Sequence, residues 1–304
     1  MKDDNAGMKI RVAIADEDVD TKTSLDLGTK KLTWVSTDKI YLYAPADVTL
    51  WRGRPFSVDP TSISVDGHSA TFTEDTPTAD WSVANKMVAT YGARFSEATQ
   101  VGWYGGGTPG STSAYIVYFY PRHQTYQAGG PNPEYLIMMT DVTTDPTNLI
   151  FKNLTSVIKL QVKNTDGEHP CTLKSIKVVC DNNAITGRWY RYELKPSSEG
   201  ATAPDYNIGN RVSSFSPTYN NYPGYKSISL GGTYGNTAIL EGINVALTST
   251  PQDFYIVVAS ENHGNLTFTL TDSADNEKTF TYSNGFNSAK GKIYKFPVID
   301  WSSK

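Results

Sequence analysis

The chain has 304 residues, of which 38% are hydrophobic and 19% charged, and its formal net charge is −4 at neutral pH. Thr (35) and Ser (26) are abundant, and 19 Tyr add to a composition typical of pleated strands and polar turns. The sequence excludes a coiled coil, argues against nucleic-acid binding because its basic residues are scattered, and has no apolar stretch near the roughly 18 residues of a membrane span.

The first predicted element is a strand over residues 9–15. The polar residues 1–7 show no intact signal peptide, and we expect them to form a short tether that leads into this strand. Ile10, Val12 and Ile14 alternate with charged or smaller residues, which predicts one buried and one exposed face.

Alternation of apolar and polar residues continues along the chain, and no segment of twelve residues shows helical periodicity. The further predicted strands are residues 39–43, 63–65, 86–91, 115–120, 135–139, 158–162, 173–179, 243–247, 254–258, 266–270, 279–282 and 292–296. Strands with one apolar face are typical of packed antiparallel sheets.

The natural break in the chain is residues 143–148, a polar segment that contains a proline. It separates two sets of about seven predicted strands. The sequence therefore predicts an all-β fold of two antiparallel β-sandwich domains, residues 1–146 and 147–304.

The two cysteines flank a single predicted strand. An extended chain would hold the Cα atoms of Cys171 and Cys180 roughly 30 Å apart, whereas a disulfide needs about 5–6 Å. We expect two reduced, buried thiols.

No pattern in the sequence predicts catalysis, a metal site or a cofactor. Residues 105–112 have the outline of a phosphate loop, but Ser111 stands where the lysine is needed. The acidic run at residues 16–20 lacks the glycine and the glutamate of a calcium loop, and the four histidines have no metal-like spacing. We therefore expect a protein that is not an enzyme.

Aromatic residues in two predicted loops, residues 101–113 and 189–225, are the candidates for ligand binding. Trp103, Tyr104, Trp189 and Tyr190 could stack on sugars or on a protein partner. They could equally pack against their own domain, and the sequence leaves both interpretations open.

Several stretches, taken together and in order, resemble the fimbrillin-like proteins of Bacteroidetes, which are subunits of type V pili. The stretches are residues 21–26, 32–34, 38–43, 138–139, 151–160, 184–187 and 286–296. The resemblance implies two transthyretin-like domains, and export as a lipoprotein to the outer-membrane surface, with a lipid anchor as its only link to the membrane.

The resemblance also implies assembly by strand addition after proteolytic removal of the first strand. That strand would be residues 9–15, whose Ile10, Val12 and Ile14 would fill the groove. Members of the family are cleaved after an arginine in the loop that follows the first strand. Lys22 stands at that position in this sequence and is the candidate processing site. Residues 297–301 are the only candidate for a donor strand near the C-terminus and are short for it.

These features together predict an accessory, anchor or tip subunit of a fimbrium. Its partners would be other pilus subunits and a protein or glycan on a host or bacterial surface. The alternative is a surface glycan-binding lipoprotein that uses the loop aromatics.

Overall fold

The structure is a computed structural model. It describes residues 7–15, 33–43, 54–77, 81, 87–91, 115–120, 122–140, 143–153, 155–181, 185–192, 210–211, 235–259, 262–289 and 291–302. For residues 115–120, 187–192 and 210–211 the strand pairing alone is defined.

The described residues form β-strands joined by turns and two short 3-10 helices. The strands are β1 (Lys9–Ile14), β2 (Lys39–Tyr43), β3 (Arg54–Val58), β4 (Ser69–Glu74), β5 (Val88–Tyr91), β6 (Tyr115–Tyr120), β7 (His123–Thr125), β8 (Met138–Thr140), β9 (Asn148–Asn153), β10 (Ser156–Lys163), β11 (Thr172–Cys180), β12 (Gly187–Tyr192), β13 (Asn210–Arg211), β14 (Thr237–Glu241), β15 (Val245–Ala246), β16 (Gln252–Val258), β17 (Asn262–Asp272), β18 (Glu277–Asn287), β19 (Ile293–Lys295) and β20 (Ile299–Asp300).

The two 3-10 helices are Pro60–Ser62 and Pro133–Tyr135. Each starts with a proline, and the side chain of the preceding residue, Asp59 or Asn132, accepts a hydrogen bond from a backbone N–H of the first turn. In the part of the chain that the structure describes, no helix has the length and apolar character needed to cross a membrane.

Seven strands close into a barrel in the order β1-β4-β3-β2-β5-β8-β9. All neighbours are antiparallel except β9 and β1, which run parallel and close the barrel. Its interior is filled by apolar side chains such as Ile40, Phe56 and Phe72. This closed barrel differs from the antiparallel sandwich expected from the sequence. Alternation shows which face of a strand is buried, but not whether the first and last strands meet.

The polar segment 143–148 joins β8 to β9, which are neighbouring strands of the barrel. Leu149 and Phe151 of β9 belong to the barrel core, whereas the core of the second half starts at Ile158. The division of the chain into residues 1–146 and 147–304 stays a prediction.

The second half has two sheets that share one core. One sheet has the order β16-β10-β19, with β20 also paired to β10, and the other has the order β18-β17-β11-β14-β7, with β15 also paired to β11. Leu160 and Phe254 from the first sheet and Ile176 and Phe268 from the second belong to the same buried cluster. Two sheets around one apolar core are the arrangement of a β-sandwich. The fold is all-β, as predicted.

β18 is the last strand of its sheet, and its inward face contains a charged residue. Phe280 and Tyr282 pack against the sandwich core, while Lys278 on the same face donates to the backbone oxygen of Trp301. The ammonium group of Lys278 lies 5.4 Å from the centroid of the Trp301 ring. Near its other end β18 has extra residues relative to β17, with Gly285 at a φ of 68°. An inward lysine and a bulge both hinder pairing with a further strand.

Cys171 and Cys180 are buried thiols that form no disulfide, and they lie at the two ends of β11. Burial and the nearby Asp272 carboxylate raise the pKa of the Cys171 thiol to about 11. The thiolate is the reactive form, so Cys171 is poorly reactive in the folded protein.

We expect iodoacetamide near pH 8 to modify Cys171 about 100-fold more slowly in the folded protein than in the protein unfolded by guanidinium chloride, since the thiolate fraction falls about tenfold per unit of pKa. Peptide mass spectrometry over a time course measures both rates. Equal rates in the two states would contradict the burial of this thiol.

Candidate strand-exchange groove

β1 has one face inside the barrel and one outside. Ile10 and Val12 are fully buried, whereas Lys9 and Arg11 are exposed. Ile14 is partly buried and packs against the same apolar cluster. Two side chains therefore anchor the strand, and the role of the strand as a replaceable element stays a prediction.

Both edges of β1 are paired. β4 runs antiparallel on one side, from Lys9 opposite Thr73 to Ala13 opposite Ser69, and β9 runs parallel on the other. Hydrogen bonds continue beyond the strand at both ends: the N–H of Glu74 donates to the oxygen of Met8 (3.0 Å), and that of Ala15 donates to the oxygen of Phe151 (2.8 Å). β1 is an internal strand and not an edge strand.

The two buried side chains of β1 lie next to residues of different size. Ile10 is opposite Phe72 of β4. Val12 is opposite the small Ala70 on β4 and opposite Leu149 on β9. A shift of β1 by one residue would turn its apolar face outward. A shift by two would place Ile10 and Val12 opposite side chains of a different size, so alternation and neighbour size together fix the register.

Trp34 forms the floor of the groove beneath β1. Its ring contacts Phe72 of β4 and Phe151 of β9 edge-on, at centroid distances of 5.0 and 5.7 Å. These rings belong to the two strands that flank β1, so one indole bridges both walls. The backbone N–H of Trp34 donates a hydrogen bond to the backbone oxygen of Gly67 (2.8 Å). Gly67 has a φ of 69°, and a Cβ there would lie 2.6 Å from the Cβ of Thr33.

The start of β1 lies against a buried carboxyl group. Glu74 is 5% exposed and accepts a hydrogen bond from the indole N–H of Trp81 (3.2 Å). Burial raises the pKa of Glu74, and Trp81 and Arg54 oppose that shift. Gly7 passes so close that a Cβ on it would lie 3.0 Å from the backbone oxygen of Glu74. A chain that enters this end of the groove needs a small residue here.

A second buried carboxyl group connects Trp34 to the strands across the barrel. The carboxylate of Asp38 accepts hydrogen bonds from the N–H of Val35 and the hydroxyl of Tyr91, each at 2.8 Å. Burial raises the pKa of Asp38, although the two hydrogen bonds oppose this shift. The pKa of Tyr91 is raised by its burial and by the nearby charge of Asp38. The Tyr91 ring packs edge-on against Trp34 at 5.5 Å.

The remaining predicted site residues fall into two groups. Lys22, Trp103 and Tyr104 lie outside the described residues. Trp189 and Tyr190 lie in β12, whose backbone pairs with β6 and β13. The predicted loop at residues 189–225 therefore begins with a strand. Within the described ranges, no group of three or more His, Cys, Asp or Glu side chains could hold a metal ion.

Trp34, Asp38, Glu74 and Trp81 were not predicted to belong to the site. The local signal for two of them is a tryptophan and an aspartate four residues apart, just before a strand. Nothing local to Glu74 distinguishes it from an exposed glutamate at the end of a polar strand.

Residues 297–301, predicted as the only donor candidate near the C-terminus, belong to the sandwich. Ile299 and Trp301 are part of its core, and β20 pairs with β10. The carboxylate of Asp300 accepts hydrogen bonds from Thr165 and Ser302, which lower its pKa. This segment is part of the sandwich of its own chain.

No protein-family model and no curated protein matches the chain. Solved structures similar to it include a proposed cell adhesion protein from Bacteroides ovatus, with 11% identity over 96% of this chain and 91% of that chain and a TM-score of 0.47. A proposed cell adhesion protein from Bacteroides uniformis has 13% identity, 99% and 95% coverage and a TM-score of 0.44. A fimbrial assembly protein from Parabacteroides distasonis has 10% identity, 95% and 90% coverage and a TM-score of 0.40.

Replacing Ile10 by Ala should lower the free energy of unfolding by about 2–5 kcal/mol, because a fully buried side chain is lost and a cavity remains. Urea denaturation measures the loss. The matched control is Arg11→Ala on the exposed face of the same strand, for which we expect a change within about 0.5 kcal/mol. Similar losses for both variants would contradict the anchoring role of Ile10.

Replacing Tyr91 by Phe should destabilise the protein by about 1–3 kcal/mol once Asp38 is ionised, because the buried carboxylate loses a donor. The raised pKa of Asp38 means that its ionised form is disfavoured in the folded state. The loss should therefore be small at acid pH and grow as the pH rises through that pKa.

Denaturation curves at a series of pH values measure this dependence. In an Asp38→Asn background the Tyr91→Phe effect should no longer vary with pH. If the Tyr91→Phe effect still varies with pH in the Asp38→Asn background, another ionisable group causes the pH dependence.

Proposed function

We propose that this chain is a fimbrial or adhesion subunit of the cell surface that assembles by β-strand addition at the groove of β1, and that its role is structural and not catalytic. The observation that supports this most is that β1 is paired on both edges yet has only two fully buried side chains, Ile10 and Val12. A partner needs to supply few side chains to replace it.

Loss of β1 would leave a slot bordered by two strands. β4 and β9 would be separated by about 10 Å, which is two strand spacings. Their freed N–H and C=O groups would face the slot from both sides, above Trp34. An incoming strand can form backbone hydrogen bonds to both walls while alternate side chains fill the two pockets.

A single cut would separate β1 from the rest of the barrel. β1 comes before the other barrel strands in sequence, and the segment between residues 15 and 33 connects it to β2. Lys22 lies in that segment and is the processing site that we propose. After cleavage, β1 would be held by non-covalent contacts alone and could be exchanged for the strand of a partner.

The place of the chain in an assembly is the accessory, anchor or tip position. Residues 297–301 would have to leave the core of the sandwich before they could serve as a donor strand. The burial of Ile299 and Trp301 in that core would then be lost. The chain is therefore better suited to receive a strand from a pilus subunit than to donate one.

Three further features belong to this proposal and rest on the sequence resemblance. The chain would be exported as a lipoprotein. Residues 1–146 and 147–304 would act as two modules of the transthyretin-like kind. Its partners would be other pilus subunits and a surface protein or glycan.

Strand exchange can be tested with a protease site inserted between residues 15 and 33. After cleavage, a labelled peptide of residues 7–15 should exchange with the cut β1, because the pockets and edges of the groove match it. Native gel electrophoresis with fluorescence detection measures incorporation. The uncut protein should take up no label, because its own β1 fills the groove.

A peptide in which Ile10 and Val12 are both replaced by Ser is the matched control and should not enter, since buried hydroxyls would lack partners. Equal uptake of both peptides would show that the pockets do not select the strand. In the native host, a surface form whose N-terminus retains residues 9–15 would count against use of this groove.

A further inference from the structure

A short strand from the first half of the chain lies on the sandwich of the second half. β7 pairs in parallel with β14, with Gln124 opposite Leu240. Two further hydrogen bonds extend the pairing: the N–H of Ile239 donates to the oxygen of Arg122 (2.7 Å), and the N–H of Tyr126 donates to the oxygen of Glu241 (2.8 Å).

The side chain of Gln124 also binds the other sheet of the sandwich. Its amide nitrogen donates to the oxygen of Val257 (2.6 Å), and its amide oxygen accepts from the N–H of the same residue (2.9 Å). Val257 belongs to β16, whose backbone pairs with β10. The side-chain amide thus reproduces the two hydrogen bonds that a neighbouring strand would make. Gln124 is 2% exposed, whereas His123 and Thr125 beside it are exposed.

Residues 122–126 therefore join the two sheets, because their backbone pairs with β14 while the one buried side chain pairs with β16. The Tyr126 ring adds an apolar contact to Phe254 of β16, at a centroid distance of 5.7 Å. We define residues 122–126 as the clamp.

The clamp is connected to the barrel through a buried segment. The N–H of Thr125 donates to the hydroxyl of Tyr135 (2.9 Å), and Tyr135 is 3% exposed. Leu136 and Ile137 follow, also buried, and lead directly into β8 of the barrel. Displacement of the clamp from the sandwich would thus disturb packing next to the barrel.

We propose that the clamp, anchored by the amide of Gln124, couples the sandwich to the barrel so that the two unfold together. This coupling is independent of strand exchange at β1. If Gln124 loses its amide, the N–H and the oxygen of Val257 are left buried without these hydrogen bonds, and the two halves of the chain should unfold as separate units.

Differential scanning calorimetry of the full chain tests the coupling. The unmodified protein should unfold in one transition whose calorimetric and van't Hoff enthalpies agree. Gln124→Ala should give two transitions, with the lower one shifted down by about 5–10 °C. His123→Ala is the matched control, because it removes an exposed side chain, with its hydrogen bond to Glu241, from the same strand. That variant should keep a single transition.

Gln124→Glu separates the hydrogen-bonding role from a general packing role. An ionised carboxylate can accept from the N–H of Val257 but cannot donate to its oxygen, so two transitions are expected near pH 8. At acid pH the protonated carboxyl regains a donor, and the single transition should return. The ionisable groups on the elements packed against Gln124 are those of Arg122, His123, Tyr126 and Tyr135 in its own segment, Glu241 of β14, Asp253 and Tyr255 of β16, and Lys159 opposite Tyr255 on β10. All of them are also present in Gln124→Ala, which serves as the reference at each pH.

Three results would overturn the proposal. One is separate unfolding of the two halves in the unmodified protein. Another is a single transition in Gln124→Ala, as in the His123→Ala control. The third is the same pH dependence in Gln124→Glu as in Gln124→Ala.

Discussion

The parallel pairing of β1 with β9 is the interaction on which the first half of the structure depends. It joins the first strand in the sequence to the last strand of the barrel, so that no strand of the barrel has a free edge. Because β9 ends at Asn153 and β10 begins at Ser156, closure of the barrel also fixes where the sandwich begins. The side chain of Asn153 accepts hydrogen bonds from the N–H and the hydroxyl of Thr155, at 2.9 and 2.7 Å. The strand that we propose to be replaceable and a strand that leads to the second half are therefore direct neighbours.

Buried polar groups hold the apolar surfaces of this protein in register. The side chains of Asp38 and Gln124 bond to groups that are 53 and 133 positions away in the sequence, whereas that of Glu74 bonds to the nearby Trp81; all three are almost fully enclosed. Apolar packing alone tolerates small shifts, whereas a buried carboxyl or amide group is costly unless its partners are in place. Asp38 and Gln124 thus favour one arrangement of strands among those that would bury a similar apolar area.

The sequence allowed prediction of many of the strands but not of their neighbours. Residues 63–65, predicted as a strand, follow a 3-10 helix and lead into a turn, and β3, β7 and β14 were not predicted. Alternation located β1, β10, β11 and β17 because each has one apolar face, and the all-β class followed. Closure of the barrel could not be predicted, since pairing between β1 and β9 depends on residues more than 130 positions apart. β9 was not among the predicted strands, and the flanking segment 143–148 looked like a linker because a polar turn with a proline has the same composition. Gln124 could not be found, since one glutamine between a histidine and a threonine has the pattern of an exposed turn.

The inward lysine and the bulge of β18 have a consequence for the geometry of any assembly. A subunit with several open strand edges would accept partners at each of them, and its polymers would branch or collapse into irregular aggregates. In this chain the edge at β18 is blocked by Lys278 and by the extra residues near Gly285, and the barrel has no edge while β1 is in place. In the assembly proposed above, closure of these two edges would limit where a further strand can pair and would so disfavour branching.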